Sequence, residues 1–226
     1  MPATGSKSLV DNILSIRISA DGFSFCDLQG WKHVDERELR KLLKADYRQV
    51  RLLSDYPSTF IPLDEYRTEH EEVIYRLTFG DDSLKGLSLC HEALPPLDVV
   101  ALYPLSPEAR DTVLSLFPDV TVQGFYAQTL LYCYSNERSE AKASQASRLY
   151  VSTEGSLLFV CAFNGQTLSF ANTFSARGTA DRLYFALSSW RQLRLDEKKD
   201  TLFLLGKDNE LREGLQRFIP NLRCVS

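Results

Sequence analysis

Two acidic residues stand beside glycine in two similar segments of the chain. Asp21 precedes Gly22 in LSIRISADGFSFCDL, and 133 positions later Glu154 precedes Gly155 in RLYVSTEGSLLFVCAF. If the two segments face each other, their carboxylates can hold Mg²⁺, which prefers oxygen ligands. Arg17, in the strand-like run before Asp21, adds a cation to the group. Asp21, Glu154 and Arg17 are therefore the candidate cofactor-binding residues.

The same residues also have a purely structural explanation. Asp-Gly and Glu-Gly pairs are typical of tight hairpin turns, because glycine adopts a positive φ at no steric cost. We favour this explanation, and we predict no bound cofactor, no catalytic residue and no metal site. Two such hairpins, each at the start of a similar run of elements, indicate an internal repeat.

The run Cys90-His91-Glu92 could place a thiol nucleophile beside a base. However, the apolar LSLC that ends at Cys90 is typical of the end of a strand. His91 and His70 also lack the HxxxH spacing of a zinc site. We therefore assign neither a nucleophile nor a metal ligand to these residues.

Two basic features could bind an anion or nucleic acid. Arg177 stands just before a predicted helix, whose N-terminal amides could take an anion, but capping by Ser175 or Thr179 explains the same residues and is favoured. The basic side chains between Arg37 and Arg51 interleave with acidic ones, as they do on a solvated helix. Nucleic acid is therefore not the expected partner.

The composition narrows the class of protein. The chain has 226 residues, 44% of them hydrophobic, and a formal net charge of −4, which indicates a globular protein without general attraction to nucleic acid or anionic lipid. No run of 18 apolar residues and no signal-peptide pattern is present, so we expect a cytoplasmic location and no membrane span. Five scattered cysteines without CxxC spacing argue against disulfides and against a zinc site.

Local signals predict a strand-rich first half. A capping box of Asp35 and Glu38 predicts a helix over 36–45. Ser106 followed by Pro107 predicts a second helix that ends near Phe117. Strands are expected at 13–19, 23–28, 49–54, 73–79, 84–89 and 98–103, and a further helix at 124–134.

The second half shows the order β-β-β-α-β-α-β. Strands at 149–152, 157–163 and 167–173 are joined by Glu-Gly and Asn-Gly turns, and apolar spacing predicts an amphipathic helix over 179–193. A strand at 201–205, a helix at 209–218 capped by Asp208, and a strand at 222–225 follow. Residues 135–147 contain no apolar side chain larger than alanine. We therefore predict domains at 1–136 and 148–226, joined by a linker at 137–147.

This order of elements is that of a ribonuclease H-like half, and two such halves in tandem resemble the actin-like ATPase superfamily. The two halves close alike, at LFPDVTV and at RFIPNLRCV 102 positions later. The first half is therefore expected to carry 31 extra residues, inserted between its opening hairpin and the strand at 98–103. The segments TFIPLDEY (59–66) and DRLYFALSSWRQLRLDEKKDTLFLLG (181–206) resemble an uncharacterised bacterial family of unknown function with this fold.

The resemblance implies a nucleotide site whose residues this chain lacks. Active members of the superfamily hold Mg-ATP through an Asp-x-Gly motif in each half and through a glycine pair near the adenosine. Here Arg17 or Ser19 takes the place of the first carboxylate, and the second half reads STEG at 152–155. We therefore expect a non-catalytic protein-interaction or scaffolding module with a protein partner or self-association. The alternative is a divergent Mg-nucleotide-binding ATPase or kinase-like enzyme that uses the inter-lobe cleft.

Overall fold

The computed structural model describes residues 13–27, 30–42, 47–140 and 146–225. The strands within these residues are β1 (Ile13–Ser19), β2 (Gly22–Asp27), β3 (Gly30–Val34), β4 (Gln49–Ser54), β5 (Thr59–Pro62), β6 (Ser88–Leu94), β7 (Val99–Leu105), β8 (Thr121–Gly124), β9 (Ser147–Glu154), β10 (Leu157–Asn164), β11 (Thr167–Ser175), β12 (Thr201–Leu205) and β13 (Leu222–Val225). The α-helices are α1 (Glu36–Leu42), α2 (Glu71–Phe79), α3 (Pro107–Leu116), α4 (Phe125–Glu140), α5 (Thr179–Gln192) and α6 (Asn209–Gln216).

The strands form two sheets that share one arrangement. The first sheet has the order β3-β2-β1-β4-β8, in which an antiparallel meander is followed by two parallel strands. The second sheet has the order β13-β12-β9-β10-β11-β5-β7-β6, and its first five strands repeat that arrangement. The order β-β-β-α-β-α-β predicted for the second half is therefore confirmed.

The chain forms two compact units. The first contains residues up to 56, together with 86–88 and 105–125, and the second contains 57–85, 89–104 and 126–226. Strands from the first half of the sequence thus belong to the second unit. The predicted division into domains at 1–136 and 148–226 stays a prediction.

The second unit has helices on both faces of its sheet. Helices α5 and α6 pack on one face, where Trp190 and Leu215 join Val151, Val160 and Leu204 in a buried core. Truncating one of these leucines to alanine is expected to cost about 2–5 kcal/mol, because a buried side chain leaves a cavity. Helix α4 covers the other face through aromatic contacts, with the rings of Tyr126 and Phe159 5.6 Å apart and those of Tyr134 and Phe163 6.4 Å apart.

The helix starts follow the predicted capping residues. The amide of Glu38 donates to Asp35 Oδ1 at 2.8 Å, and the amide of Asp35 donates to Glu38 Oε2 at 3.2 Å, which confirms the capping box. Ser106 Oγ accepts from the amide of Ala109, and Asp208 Oδ1 accepts from that of Leu211. Helix α5 differs, because Gly178 is its N-cap and no side chain caps it. The predicted capping of α5 by Ser175 or Thr179 is therefore wrong.

Two predicted strands in the first half are wrong. Residues 73–79 belong to helix α2, in which the rings of Tyr75 and Phe79 pack one turn apart and Arg76 pairs with Glu72. Their β-branched and aromatic residues favour a strand, but the helical period of burial prevails. The strand expected at 84–89 is instead a 3₁₀ helix at Asp81–Leu84 followed by β6. Strand β3 was not predicted at all.

The position of the inserted segment also differs from the prediction. Strand β4, not the strand near 98–103, lies parallel to β1 in the first sheet. The latter strand, β7, pairs antiparallel with β5 in the second sheet. Every residue of β7 is buried, so its sequence looks like that of a central parallel strand. The insertion therefore follows β4 and includes β7.

The two opening hairpins are related by a different spacing from the predicted one. Their centres lie between Ala20 and Asp21 and between Gly155 and Ser156, 135 positions apart. Asp21 and Glu154, matched at 133 positions, therefore do not occupy equivalent places in the two hairpins. The predicted linker differs too, since α4 continues to Glu140, and residues 141–145 lie outside the described residues.

Candidate functional site

Arg17 lies at the centre of the first sheet, on β1, and is almost inaccessible to water. Only 4% of its surface is exposed, and its Nη2 donates to Asp55 Oδ2 in an ion pair. The guanidinium carbon lies 4.6 Å from the ring centre of Trp31 and 4.1 Å from that of Phe125. The cation is thus neutralised by a carboxylate and covered by two aromatic faces.

Asp55 is positioned for this pair by the parallel strands. It follows β4 directly, and its amide donates to the carbonyl of Ile18 at 2.8 Å, which extends the ladder between β1 and β4 by one bond. The Asp55 side chain is 12% exposed. Arg17 and Asp55 therefore form a largely buried ion pair between two neighbouring strands.

Asp21 lies in the exposed turn between β1 and β2. Its amide donates to Ser19 Oγ at 3.2 Å, and Gly22 after it has a φ of +110°, which L side chains rarely adopt. Burial of Tyr56, together with the charge of Asp21, raises the pKa of that tyrosine. The candidate role of Asp21 as a cofactor-binding residue stays a prediction.

Glu154 ends β9 in the second unit, and the turn that follows it is held by an arginine. Arg182 Nη2 donates to the carbonyl of Gly155 at 2.7 Å, and Arg182 Nη1 donates to Asp208 Oδ2 at 2.7 Å. Because Asp208 also caps α6, Arg182 links the hairpin turn, α5 and the start of α6. That Asp21 and Glu154 face each other stays a prediction.

The other sequence candidates are engaged in local contacts. His91 Nδ1 lies 2.9 Å from Glu71 Oε1, and the hydroxyl of Tyr66 also donates to Glu71. Gln128 donates to Glu92 at 3.0 Å. Across the described parts of the chain, no three His, Cys, Asp or Glu side chains gather in a way that could hold a metal ion.

The N-terminus of α5 is occupied by its own carboxylate. The amide of Arg177 donates to Asp181 Oδ2 at 3.0 Å, and Thr179 Oγ1 donates to Glu210 Oε2 at 2.7 Å. Two carboxylates therefore lie at this end of α5, and their charge disfavours an anion near Arg177. On α1, Arg40 pairs with Glu36, as expected for a solvated helix face.

A buried polar cluster in the second unit was not predicted. Glu137 on α4 has no exposed surface, and it accepts from Arg148 Nη1 and from the Tyr150 hydroxyl at 2.6 Å each. Burial and the bond to Glu137 raise the pKa of Tyr150. The signal that could have revealed it is the helical spacing of Tyr126, Leu130, Cys133 and Glu137, which places the glutamate on the buried stripe.

Two of the open cavities of the second unit have charged residues in their lining. One of about 440 Å³ lies beside the start of α6 and is lined by Thr153, Arg182, Lys207, Asp208, Asn209 and Glu210. A larger cavity, of about 690 Å³, lies between the end of β5, the 3₁₀ helix at Pro95–Leu97 and the turn that joins β10 to β11. Its lining combines leucine and proline with two aspartates, Asp64 and Asp98.

Comparison with known proteins identifies the fold. A protein of Bacteroides thetaiotaomicron described as having an actin-like ATPase fold and unknown function superimposes with a TM-score of 0.79 and 23% identity, over 94% of this chain and 90% of that chain. The PilM-PilN type IV pilus biogenesis complex contains a chain that matches with a TM-score of 0.51 and 12% identity, over 95% of this chain and 88% of that one. The predicted actin-like ATPase fold is therefore confirmed.

Two further observations bear on the class of protein. Among curated proteins, none is similar enough in sequence to count as a relative. Within the described residues, no helix combines the length and the apolar character needed to cross a bilayer. Residues 28–222 match the family described as protein of unknown function DUF3822, and the chain therefore belongs to that family.

Proposed function

We propose that the protein is a non-catalytic interaction or scaffolding module built on the actin-like ATPase fold. The observation that carries this proposal is the environment of Arg17. The resemblance implies a metal-binding aspartate in the first strand, but this strand holds a guanidinium that is already paired with Asp55 and covered by Trp31 and Phe125. This position therefore presents a guanidinium instead of the carboxylate oxygen that Mg²⁺ prefers as a ligand.

The residues of the second unit do not fit the Mg-ATP that the fold implies. The terminal nitrogens of Arg182 donate to Asp208 and to a backbone carbonyl, so this arginine already holds a hairpin turn and the start of α6. The cavity beside α6 is lined by two cations, Arg182 and Lys207, and by two carboxylates, Asp208 and Glu210, so its lining has no net positive charge to attract a triphosphate. We therefore derive no chemical step through a nucleotide.

The alternative, a divergent Mg-nucleotide-binding ATPase or kinase-like enzyme, is favoured by one observation. The 440 Å³ cavity lies at the carboxyl end of β12, and open α/β sheets bind ligands at the carboxyl ends of their parallel strands. Lys207 and Asn209 are among the polar residues that line this cavity. Calorimetry with Mg-ATP separates this function from the proposed one.

Calorimetric and thermal titrations with Mg-ATP test the proposal. We expect no measurable binding, and therefore a melting temperature that about 10 mM Mg-ATP leaves unchanged. A ligand at 100 times its Kd would stabilise the protein by about 2.7 kcal/mol and raise Tm by roughly 5–10 °C. Binding tighter than about 100 μM that the Asp21→Ala variant loses would overturn the proposal.

The proposed function includes association of this protein with a protein partner or with a second copy of itself. The PilM-PilN structure is, by its name, a complex, and this supports an interaction role only as an analogy between folds. Light scattering behind a size-exclusion column, followed by capture experiments in lysate, measures self-association and partner binding. A strict monomer that binds no protein at micromolar concentration would contradict it.

We further propose that this is a bacterial, cytoplasmic protein. Fractionation of cells that express a tagged chain tests this location.

A further inference from the structure

The acidic character of the chain is concentrated in one segment. Residues 59–98 carry nine Asp and Glu but only three Arg and Lys, a formal net charge of −6, whereas the whole chain carries −4. The remainder of the sequence is therefore net positive. Two of the three basic residues in the segment are occupied locally, Arg76 by Glu72 and Arg67 by the carbonyls of Asp64 and Tyr66.

A cavity of the second unit opens on this acidic segment. It has a volume of about 690 Å³, within the range of roughly 300–1,000 Å³ that is usual for ligand sites. Its charged lining residues are two aspartates, Asp64 and Asp98, and both are exposed to water. The complete lining is Pro62, Leu63, Asp64, Pro96, Leu97, Asp98, Val99, Gln166, Thr167 and Leu168. The cavity therefore offers negative charge and apolar surface together.

The walls of the cavity are fixed by backbone contacts. Pro62 on β5 is in register with Val99 on β7, and the amide of Leu63 donates to the carbonyl of Asp98 at 2.8 Å. Asp98 itself has a φ of 54°, in the left-handed region, so its side chain projects from a tight turn. A preformed cavity binds a partner with a smaller entropic cost than a mobile surface does.

The apolar part of the cavity is accessible. Leu63 is 40% exposed, although a leucine at the end of a strand usually packs inward, and two prolines stand beside it. An aliphatic side chain can bury itself against these residues while a cation pairs with the aspartates. We propose that this cavity, as the contact site of the interaction module proposed above, docks a basic segment of a protein partner in which Arg or Lys lies beside leucine-like residues.

Titration of the ¹⁵N-labelled full chain with two eight-residue peptides tests the inference. One peptide alternates leucine with arginine, and the other alternates leucine with glutamate. We expect the arginine peptide to shift the amide signals of 63–64, 97–99 and 166–168, and to bind more weakly as salt is raised. The glutamate peptide should leave these signals in place. Equal shifts with both peptides, or shifts confined to other regions, would refute the inference.

A charge-matched pair of variants provides the control. Asp64→Asn/Asp98→Asn removes both carboxylates, and asparagine tolerates the left-handed backbone at 98, so the turn is retained. The control, Asp119→Asn/Glu213→Gln, removes two exposed carboxylates outside the acidic segment. We expect the first variant to bind the arginine peptide roughly fivefold more weakly and the control to bind within about twofold of wild type. Equal weakening in both variants would show a general charge effect and overturn the inference.

A small cationic ligand carries the same positive charge as a basic protein segment and is the other candidate occupant of this cavity. If agmatine, an arginine-like amine, binds as tightly as the arginine peptide, the cavity is a small-molecule site and not a docking surface. These titrations contain no nucleotide, so their failure is distinct from the failure of the proposed function, which Mg-ATP binding would decide. If light scattering shows an association that Asp64→Asn/Asp98→Asn leaves unchanged, the proposed function stands and this docking site is wrong.

Discussion

Replacement of Arg17 by methionine is the sharpest test of the structural role assigned to this residue. The change removes the charge and keeps a flexible apolar side chain between Trp31 and Phe125. Breaking a buried ion pair leaves the remaining charge without its partner and costs about 3–5 kcal/mol. The loss of cation–π contacts with two rings falls within the same total, at about 0.5–1 kcal/mol each. We expect the free energy of unfolding to fall by about 4 kcal/mol.

The assay can report on the first unit alone. The chain has two tryptophans, Trp31 in the first unit and Trp190 in the second, so a Trp190→Phe background leaves Trp31 as the fluorescent probe during urea unfolding. Arg17→Lys keeps the charge but loses the planar stacking, and we expect it to cost about 1–2 kcal/mol. Arg17→Met combined with Asp55→Asn removes both charges and should cost clearly less than the single Arg17→Met change.

The reasoning about Arg17 would be refuted by either of two results. One is a cost below about 1 kcal/mol for Arg17→Met, which would mean that the buried pair contributes no more than a surface pair does. The other is strict additivity of the Arg17 and Asp55 substitutions, because residues that share a buried contact show a coupling energy.

Three further predictions concern the second unit. Arg148→Met should destabilise it by about 3–5 kcal/mol by leaving Glu137 charged and buried, as followed by Trp190 fluorescence in urea, and an unchanged midpoint would contradict this. Burial raises the pKa of Tyr150 above its ordinary value of 10.0, so the native state keeps this proton to a higher pH than the unfolded state does. The free energy of unfolding should therefore fall as the pH rises above 10, and it should fall less steeply in the Tyr150→Phe variant. Burial also raises the pKa of Cys161, and Cys133 is buried beside it. A thiol reagent at about pH 8 should therefore modify these two cysteines only after denaturation. The exposed cysteines, Cys26 and Cys224, should react in the native protein.

Residue patterns that act locally predicted the structure well. The capping boxes and N-caps depend on side chains that bond amides three residues away, and the meander of the second half depends on turns with glycine at positive φ. These signals need no knowledge of distant contacts. The order of elements in the second half, and with it the fold class, followed from them.

The sequence did not predict the features that depend on which distant segment a strand or helix packs against. Strand β7 is apolar throughout because both of its faces are covered, and nothing in its sequence indicates that it pairs antiparallel with β5 instead of parallel with β1. Helix α2 carries residues of high β-propensity, which its packing overrides. The polar sequence after Ser135 suggested a linker, although Glu137 is buried through its two partners.

For the candidate site, the sequence indicated which residues to consider but not which side chains they contact. Arg17 was expected near the missing carboxylate, and no pattern reveals that Asp55 and two aromatic rings enclose it. The partner lies 38 positions away on the neighbouring strand. Such a contact follows from strand order, which single-sequence periodicity does not encode.

The contact between β5 and β11 has a consequence for synthesis of the chain. The amide of Ser58 donates to Thr173 Oγ1, and that hydroxyl donates back to the Ser58 carbonyl, both at 2.8 Å and across 115 positions. At about 5–20 residues per second on the ribosome, roughly 6–23 seconds pass between the emergence of the two residues. During that interval the apolar strands β5 and β7 have left the tunnel while the sheet that will receive them does not yet exist. The nascent protein must therefore carry the β5–β7 pair with the β5 edge uncovered, and such an edge is prone to aggregation, until Thr173 has emerged.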